Sequence, residues 1–438
     1  MKTFYIETHG CQMNVHDSEK VAGLLASRGL RKAESAESAD VFLINTCSIR
    51  DKAEQKVYSR LGEFRPIKQQ RPGFVIGVMG CVAQQEGTDF IRKAPFVDMV
   101  VGTHRYHEIP HILEQIISDR VPVVRTEPMD DPKPVEIDAA LRENGFRANV
   151  TIMEGCNKFC TFCVVPYTRG PERYRPSQNI LDEIYRLADA GFVEVLLLGQ
   201  NVNSYKDPSP RQWSFAELLK AVGKVPGIRR VRFTTNHPAD FSSDIMTALE
   251  ETPTLCNWIH LPVQSGSDRV LRRMKRLYNV DKYLKIIDSL KALTRQIALS
   301  TDVIVGFPGE TDQDFEETLE LVDRVQYDSI FSFKYSPRPN TPALKLDARE
   351  GVPEPAKESR LAKLQSMQQR IQMHHHSHMV GSAEEILVEG TARDGRKRFG
   401  RTTANKIVNF ESEAASAGQF IKVRITGCGA NSLQGQPI

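Results

Sequence analysis

Six of the eight cysteines in this 438-residue chain fall into two groups of three. Cys156, Cys160 and Cys163 are compact, in the run EGCNKFCTFCVVPYTRG, whereas Cys11, Cys47 and Cys81 are dispersed and each closes a strand-like segment. Grouped thiolates are the ligands of iron–sulfur clusters, and three rather than four leave one iron of a four-iron cluster open to bind something else. An open iron implies chemistry done at the cluster, not electron storage alone. Zinc is the weaker reading of the compact group. Zinc sites pair two short cysteine knuckles or add histidines at set distances, and no fourth ligand lies nearby. The dispersed three have a bland alternative as buried small apolar residues. Against it stands their shared position in three successive units. Cys256 and Cys428 lack partner spacing and read as structural.

The segments KTFYIETHG, ADVFLINT and FVIGVMG read as strands that end at Cys11, Cys47 and Cys81, each followed by helix-like sequence. Alternating strands and helices predict a parallel sheet with helices on its faces over residues 1–120. Ligands of such sheets sit beyond the carboxyl ends of the strands, so three cysteines at three such ends can converge. Residues 121–146 are expected to be a linker, acidic and proline-rich from Arg125 on. A second alternation of six strands and helices, from about 147 to 340, predicts a parallel (βα)6 partial barrel within a domain expected over 147–372. Its polar and special residues follow the strands: Cys156, then Gln200 and Asn201, Asn236 and His237, Gln264 and Ser265, and Gly306. A connecting helix over 355–373 runs into His374, His375, His376 and His378, a tract that partly resembles an affinity tag in a linker. Short glycine-broken strands over 378–438 predict a small β-barrel. Its basic stretch, Arg393, Arg396, Lys397, Arg398 and Arg401, reads either as a solvated turn or as a nucleic-acid surface.

Apolar content of 40% and charged content of 26% are those of an ordinary soluble protein. A net charge of +3 confines nucleic-acid binding to local patches. No apolar run approaches the ~18 residues of a membrane span, and MKTFYIETHG lacks the apolar core of a signal peptide. The chain is expected to be cytoplasmic, where thiols stay reduced, and to act as a monomer without a membrane partner.

The three-plus-two cysteine spacing, with aromatic Phe162 before the last cysteine and six β/α units around it, resembles the radical S-adenosylmethionine (SAM) superfamily. The resemblance implies that the open iron binds SAM and that electron transfer cleaves its sulfonium to a 5′-deoxyadenosyl radical. It places Phe162 near the adenine. Gln200, Asn201 and Arg232 would face the methionine moiety, and Gln264, Ser265 and the backbone at Gly306 would complete the pocket. Gln264 reads equally well as an ordinary strand-end residue.

Taken with Cys11, Cys47 and Cys81 and the C-terminal barrel, nearly the whole chain resembles the methylthiotransferase family. THGCQMN (8–14), NTCSIR (45–50) and GCNKFCTFCVVPYTRG (155–170) are similar to its branch acting on tRNA. That implies two [4Fe-4S] clusters and two SAM molecules per product, one a methyl donor and one a radical source. It implies methylthiolation at C2 of N6-isopentenyladenosine at position 37 of a tRNA anticodon stem-loop. The small barrel would be a TRAM domain gripping RNA, and an electron-donor protein such as flavodoxin or ferredoxin would reduce the cluster. Arg169, Arg173 and Arg175 read either as steering phosphates to the opening or as surface charge. Asn236 departs from the family, where serine is expected. Two other readings stay open: a protein methylthiotransferase acting on a ribosomal-protein aspartate, and a non-enzymatic RNA-binding iron–sulfur protein.

Overall fold

The structure, a computed structural model, describes every residue except 48–50, 128, 130–140, 143–144 and 393–394, and the side chains of 51–55. It divides into two compact units: residues 1–143 with 153–157 and 164–174, and residues 144–152 with 158–163 and 175–438.

In the first unit the strands are β1 (Thr3–His9), β2 (Arg31–Lys32), β3 (Val41–Thr46), β4 (Val75–Gly80), β5 (Met99–Val101) and β6 (Val123–Arg125). All pair in parallel, in the order β2-β1-β3-β4-β5-β6. The helices are α1 (Gln12–Ser27), α2 (Asp51–Gln70), α3 (Cys81–Glu86), α4 (Thr88–Lys93) and α5 (Ile109–Asp119). Central strands covered on both faces read as continuous apolar runs, and β3 is buried along its whole length. The pleat sends its side chains alternately to two cores. Val41 and Leu43 pack with Val21 and Leu25 of α1 and Ile112 of α5. Phe42 and Ile44 pack with Leu61 and Phe64 of α2 and Phe90 of α4. β6 falls within the stretch expected to be linker. Its short VVR run pairs with β5, so the sheet extends to Arg125. The rest of that linker lies largely outside the described residues.

The chain then passes through β7 (Arg147–Thr151), β8 (Met153–Glu154), α6 (Val165–Thr168) and β9 (Arg173–Tyr174). β7 starts the second unit, while β8 and β9 form an antiparallel pair in the first. The second unit continues with α7 (Ser177–Asp189), β10 (Glu194–Leu198), α8 (Phe215–Val222), β11 (Arg230–Phe233), α9 (Ser243–Glu251) and β12 (Trp258–His260). Then follow α10 (Asp268–Arg273), α11 (Val280–Lys291), β13 (Ala298–Val305), α12 (Asp312–Val325) and β14 (Ser329–Lys334). Six strands are parallel as expected, in two ladders, β7-β10-β11 and β12-β13-β14. A single bridge, Val231 to Leu255, lies at the break.

Helices α13 (Pro342–Glu350) and α14 (Glu354–His378) lead to β15 (Ala383–Thr391), β16 (Arg398–Arg401), β17 (Ile407–Phe410), β18 (Phe420–Cys428) and β19 (Leu433–Pro437). These five close a small barrel, β15-β16-β17-β19-β18, around Val388, Val408, Phe410, Val423 and Leu433. The histidine tract is the last turn of α14 rather than a linker. His375 Nε2 donates to the Gln326 carbonyl (2.8 Å), and the ring of buried His376 bonds the Gly429 carbonyl through Nδ1 (2.7 Å).

Arg232, expected at the methionine end of a SAM pocket, lies elsewhere. Its Nε bonds Glu194 Oε2 (3.1 Å), and its Nη atoms donate to the carbonyls of Thr402 (2.8 Å) and Thr403 (3.2 Å). Both charges are buried. A strand residue two positions from a strand end can point to either face, and here it points to the C-terminal barrel. Removing one partner of such a pair leaves the other charge uncompensated, at a cost of about 3–5 kcal/mol. Arg232→Ala is therefore expected to lower the urea midpoint of the second unit strongly, read by circular dichroism, and to make residues beyond 379 more sensitive to limited proteolysis.

Candidate active site

Because β1, β3 and β4 are parallel neighbours in register, His9 opposite Thr46 and Thr46 opposite Gly80, their carboxyl ends lie on one edge of the sheet. Cys11 is the N-cap of α1, Cys47 follows β3 directly, and Cys81 opens α3. Gly80 turns the chain at φ +98°, and a Cβ there would lie 2.3 Å from Asn45 Oδ1, so only glycine fits. The Cys47 thiol hydrogen-bonds with both Cys11 and Cys81. That bond lowers Cys11 to about 7 and Cys81 to about 6, against burial, which pushes both up. Cys47 itself is held protonated by the same two bonds and by burial.

Asn14 holds Cys11, accepting at Oδ1 from its N–H (3.3 Å) and its thiol (3.2 Å). Asn45 then locks Asn14, receiving from its Nδ2 (3.0 Å) and donating to its carbonyl (2.8 Å). Sequence reasoning missed both asparagines, although each stands within three residues of a cysteine. Among the described residues no group of three or more Cys, His, Asp or Glu side chains closes on a single metal ion. The fit to a cluster rests instead on donor chemistry: three thiols from three strand ends, two of them readily ionised, with a buried guanidinium against one. A set of that kind suits an anionic metal–sulfide core.

That guanidinium is Arg169, which neither steers phosphate nor lies on the surface. It is 3% exposed, its Nη2 bonds Asp17 Oδ2 (2.6 Å), and it hydrogen-bonds the Cys81 thiol. Burial raises the Asp17 carboxyl, and Tyr106 OH donates to it (3.3 Å). Thr103 Oγ1 donates to the Thr168 carbonyl (2.5 Å) and His104 Nε2 to that of Arg169 (3.0 Å), fastening this segment to the sheet. Arg173 pairs with Glu154 (3.1 Å) and Arg175 with Glu183 (2.8 Å), so neither offers a free surface charge. Periodicity gave no sign of this because these arginines follow an irregular loop.

Cys156 lies in the first unit, its N–H donating to the Gly170 carbonyl (3.1 Å), while Cys160 and Cys163 lie in the second. There the Cys163 N–H reaches the Cys160 carbonyl (3.0 Å), and Thr161 is held by the carbonyls of Met274 (3.0 Å) and Arg273 (2.9 Å). Arg276, also unforeseen, is buried. Its Nη1 donates to Cys160 Sγ (3.3 Å), Nε to Tyr278 OH (3.0 Å) and Nη2 to the Pro262 carbonyl (3.1 Å). Phe162 packs on the cluster of Val270, Met274, Phe307 and Tyr335.

Gln200 and Asn201 follow β10, and Asn201 Nδ2 donates to Asp240 Oδ2 (2.7 Å), whose other oxygen takes Lys158 Nζ (2.8 Å). Gln264 turns at φ +75° and is bonded through its backbone to Asp302 and Ile304 of β13. Ser265 is buried, with its hydroxyl bonded to Thr318 of α12 (3.4 Å) and accepting from Ser267 N–H (3.2 Å). The Gly306 N–H is taken by Glu310 Oε1 (2.8 Å), itself paired with Arg360 (2.8 Å), so this backbone donor is already satisfied.

On the C-terminal barrel, Arg396 is exposed, Lys397 Nζ reaches Gln434 (3.1 Å) and Arg398 reaches Thr391 (2.6 Å). Arg401 is partly exposed and paired with Glu389 (3.1 Å), and its carbonyl accepts from Arg230 (2.6 Å). Arg393 lies outside the described residues.

Three family models match successive parts of the chain: the uncharacterized protein family UPF0004 over residues 3–102, the radical SAM superfamily over 150–322, and the TRAM domain over 377–438. Together with the fold they define a radical SAM enzyme. A tRNA-2-methylthio-N(6)-dimethylallyladenosine synthase of Solibacter usitatus is 49% identical, covering 99% of this chain and 98% of its own. One of Koribacter versatilis is 50% identical with the same coverage. The chain belongs to the radical SAM methylthiotransferase family, in the branch of the tRNA-2-methylthio-N(6)-dimethylallyladenosine synthases. Among solved structures, a radical S-adenosylmethionine methyltransferase from Kitasatospora setae shares the fold, with a TM-score of 0.57 at 12% identity, covering 78% of this chain and 75% of its own.

His237, beside Arg276 and Lys158, is kept neutral: burial first, then those cations, lower it to about 2. Its Nδ1 accepts from the Ala239 N–H (3.2 Å), which requires the unprotonated ring. The unfolded chain takes up a proton near the ordinary value of 6.5 that the folded chain refuses. Stability contributed by this group is therefore present above that pH and lost as pH falls, at about 1.4 kcal/mol per unit. Urea unfolding at pH 7 and pH 5 is expected to show a smaller pH dependence for His237→Gln than for the unsubstituted protein.

Proposed function

We propose that this enzyme converts N6-isopentenyladenosine at position 37 of tRNA to its 2-methylthio derivative, using two SAM molecules and two [4Fe-4S] clusters. The observation that carries the reading is the meeting of Cys11, Cys47 and Cys81 at one sheet edge, in a chain about half identical to relatives named for that reaction. Residues 1–125 would carry the auxiliary cluster, 147–372 the radical SAM chemistry and 378–438 the RNA-binding TRAM domain, with the linker after Arg125. C2 of adenine bears an unactivated C–H bond that no acid or base of a protein can usefully attack, and the cofactors, when bound, supply the radical and the sulfur.

The chain's own residues hold and orient. Cys156, Cys160 and Cys163 would hold the SAM-cleaving cluster, with Arg276 donating towards the Cys160 sulfur. Cys11, Cys47 and Cys81 would hold the second cluster, with Arg169 supplying positive charge beside it. Phe162, Gln200, Asn201 and Gln264 are assigned to the SAM pocket. Arg396, Lys397 and Arg398 would meet phosphates of the anticodon stem, a salt-sensitive contact. The base must leave its stack to be reached, which single-stranded loops permit at a cost of a few kcal/mol or less. A flavodoxin- or ferredoxin-like donor, a monomer and a cytoplasmic setting complete the reading.

Mass spectrometry of tRNA nucleosides from a strain lacking the gene is the direct test, and unchanged 2-methylthio-isopentenyladenosine would end the proposal. Cys156→Ala is expected to lose about one cluster's iron and all 5′-deoxyadenosine release. Cys47→Ala is expected to keep that release while losing the methylthio product, both read by liquid chromatography of anaerobic assays.

A further inference from the structure

One face of the β12-β13-β14 sheet mixes buried polar groups with two exposed aromatic rings. Register places His260 opposite Ser300, Asp302 opposite Phe331, and Ile304 opposite Phe333, and the period of two puts all of these on the same side. The other side carries Leu299, Val303 and Val305, all buried. On the open side Phe331 is 52% and Phe333 44% exposed, an unusual state for two large rings in the strands of a parallel sheet. The His260 ring meets the edge of Phe331 at 5.7 Å between centroids. Its Nδ1 bonds Ser300 Oγ (3.0 Å), and its Nε2 lies 3.5 Å from Asp302 Oδ1. The carboxylate of Asp302 keeps 28% of its side-chain surface open. At the carboxyl end of the same face, Ile304 packs against the cluster of Val270, Met274, Phe307, Tyr335 and Ala343, and so does Phe162, which lies between Cys160 and Cys163.

Exposed rings two residues apart, bordered by a carboxylate and an imidazole, suit a flat molecule with a π-face and a hydrogen-bonding edge. A nucleobase is such a molecule, and bases drawn out of single-stranded RNA are held by stacking on aromatic side chains and by bonds to their edges. We propose that this face is the platform for the purine base of the RNA substrate, with Phe331 and Phe333 as the stacking rings and Asp302 as acceptor for its edge. The assignment rests on the tRNA reading above.

The test uses the full-length, anaerobically reconstituted enzyme and two anticodon stem-loops, one with isopentenyladenosine at position 37 and one abasic there. The ratio of their dissociation constants isolates the base, because phosphate contacts and any loss of folded protein cancel. Phe331→Ala with Phe333→Ala is expected to lower the unsubstituted enzyme's preference for the base by about 5- to 150-fold. Phe331→Tyr with Phe333→Tyr should restore it. A preference unchanged by the alanine pair overturns the platform while leaving the tRNA reading intact. Weakened SAM binding with the base preference unchanged would assign the face to the adenine of SAM, and also overturns it. An unsubstituted enzyme that yields no methylthiolated stem-loop removes the tRNA reading and the platform together.

Discussion

The parallel register of β1, β3 and β4 is the constraint on which the N-terminal site depends. Three cysteines spread over 70 positions become neighbours only because adjacent parallel strands end on the same edge. An antiparallel neighbour would carry one of them to the opposite edge. The register is in turn set by burial on both faces: with Val41 and Leu43 in one core and Phe42 and Ile44 in the other, a slip by one residue would exchange every side chain between differently shaped cavities. The thiols inherit their placement from this packing, and Asn14 and Asn45 refine it.

Buried arginines do a second job throughout the chain. Arg169 joins Asp17 and Cys81, Arg232 joins Glu194 to two carbonyls of the C-terminal barrel, and Arg276 joins Cys160 to Tyr278 and Pro262. Each guanidinium spreads several donors in a plane and stays charged when enclosed, which a lysine does less well. Such pairs are weak sources of net stability, since desolvation offsets attraction. Their value lies in orientation, because a misplaced fork leaves donors unsatisfied in the interior. Two of the three face a cysteine assigned to a cluster, so the same interaction fixes geometry and supplies positive charge beside anionic sulfur.

The three-part architecture was legible from residue order, and so was the placement of Cys11, Cys47 and Cys81 at the ends of neighbouring strands. Strand-end position, the three-plus-two spacing and glycine-broken strands are local patterns, and the structure forms the six β/α units and the five-stranded barrel they predict. The errors fall on single polar residues. Arg232, Ser265 and Gly306 stand at strand positions or turns where a pocket is expected, and Arg401 in a basic stretch where an RNA surface is. Yet their side chains or backbone donors are taken by Glu194, Thr318, Glu310 and Glu389 respectively. Arg169, Arg173 and Arg175 looked like surface charge because their carboxylate partners lie elsewhere in the sequence, up to 152 positions away for Asp17.

Residue order by itself therefore determined which thiols stand at strand ends and which segments become strands, since both follow from spacing and from the period of apolar side chains. Tertiary structure alone decided which polar groups are spent on one another and which side chains stay open, as at Phe331, Phe333 and Asp302. The reason is that a hydrogen-bond partner is chosen by distance in space, and a parallel sheet brings together residues whose separation along the chain carries no mark of their meeting.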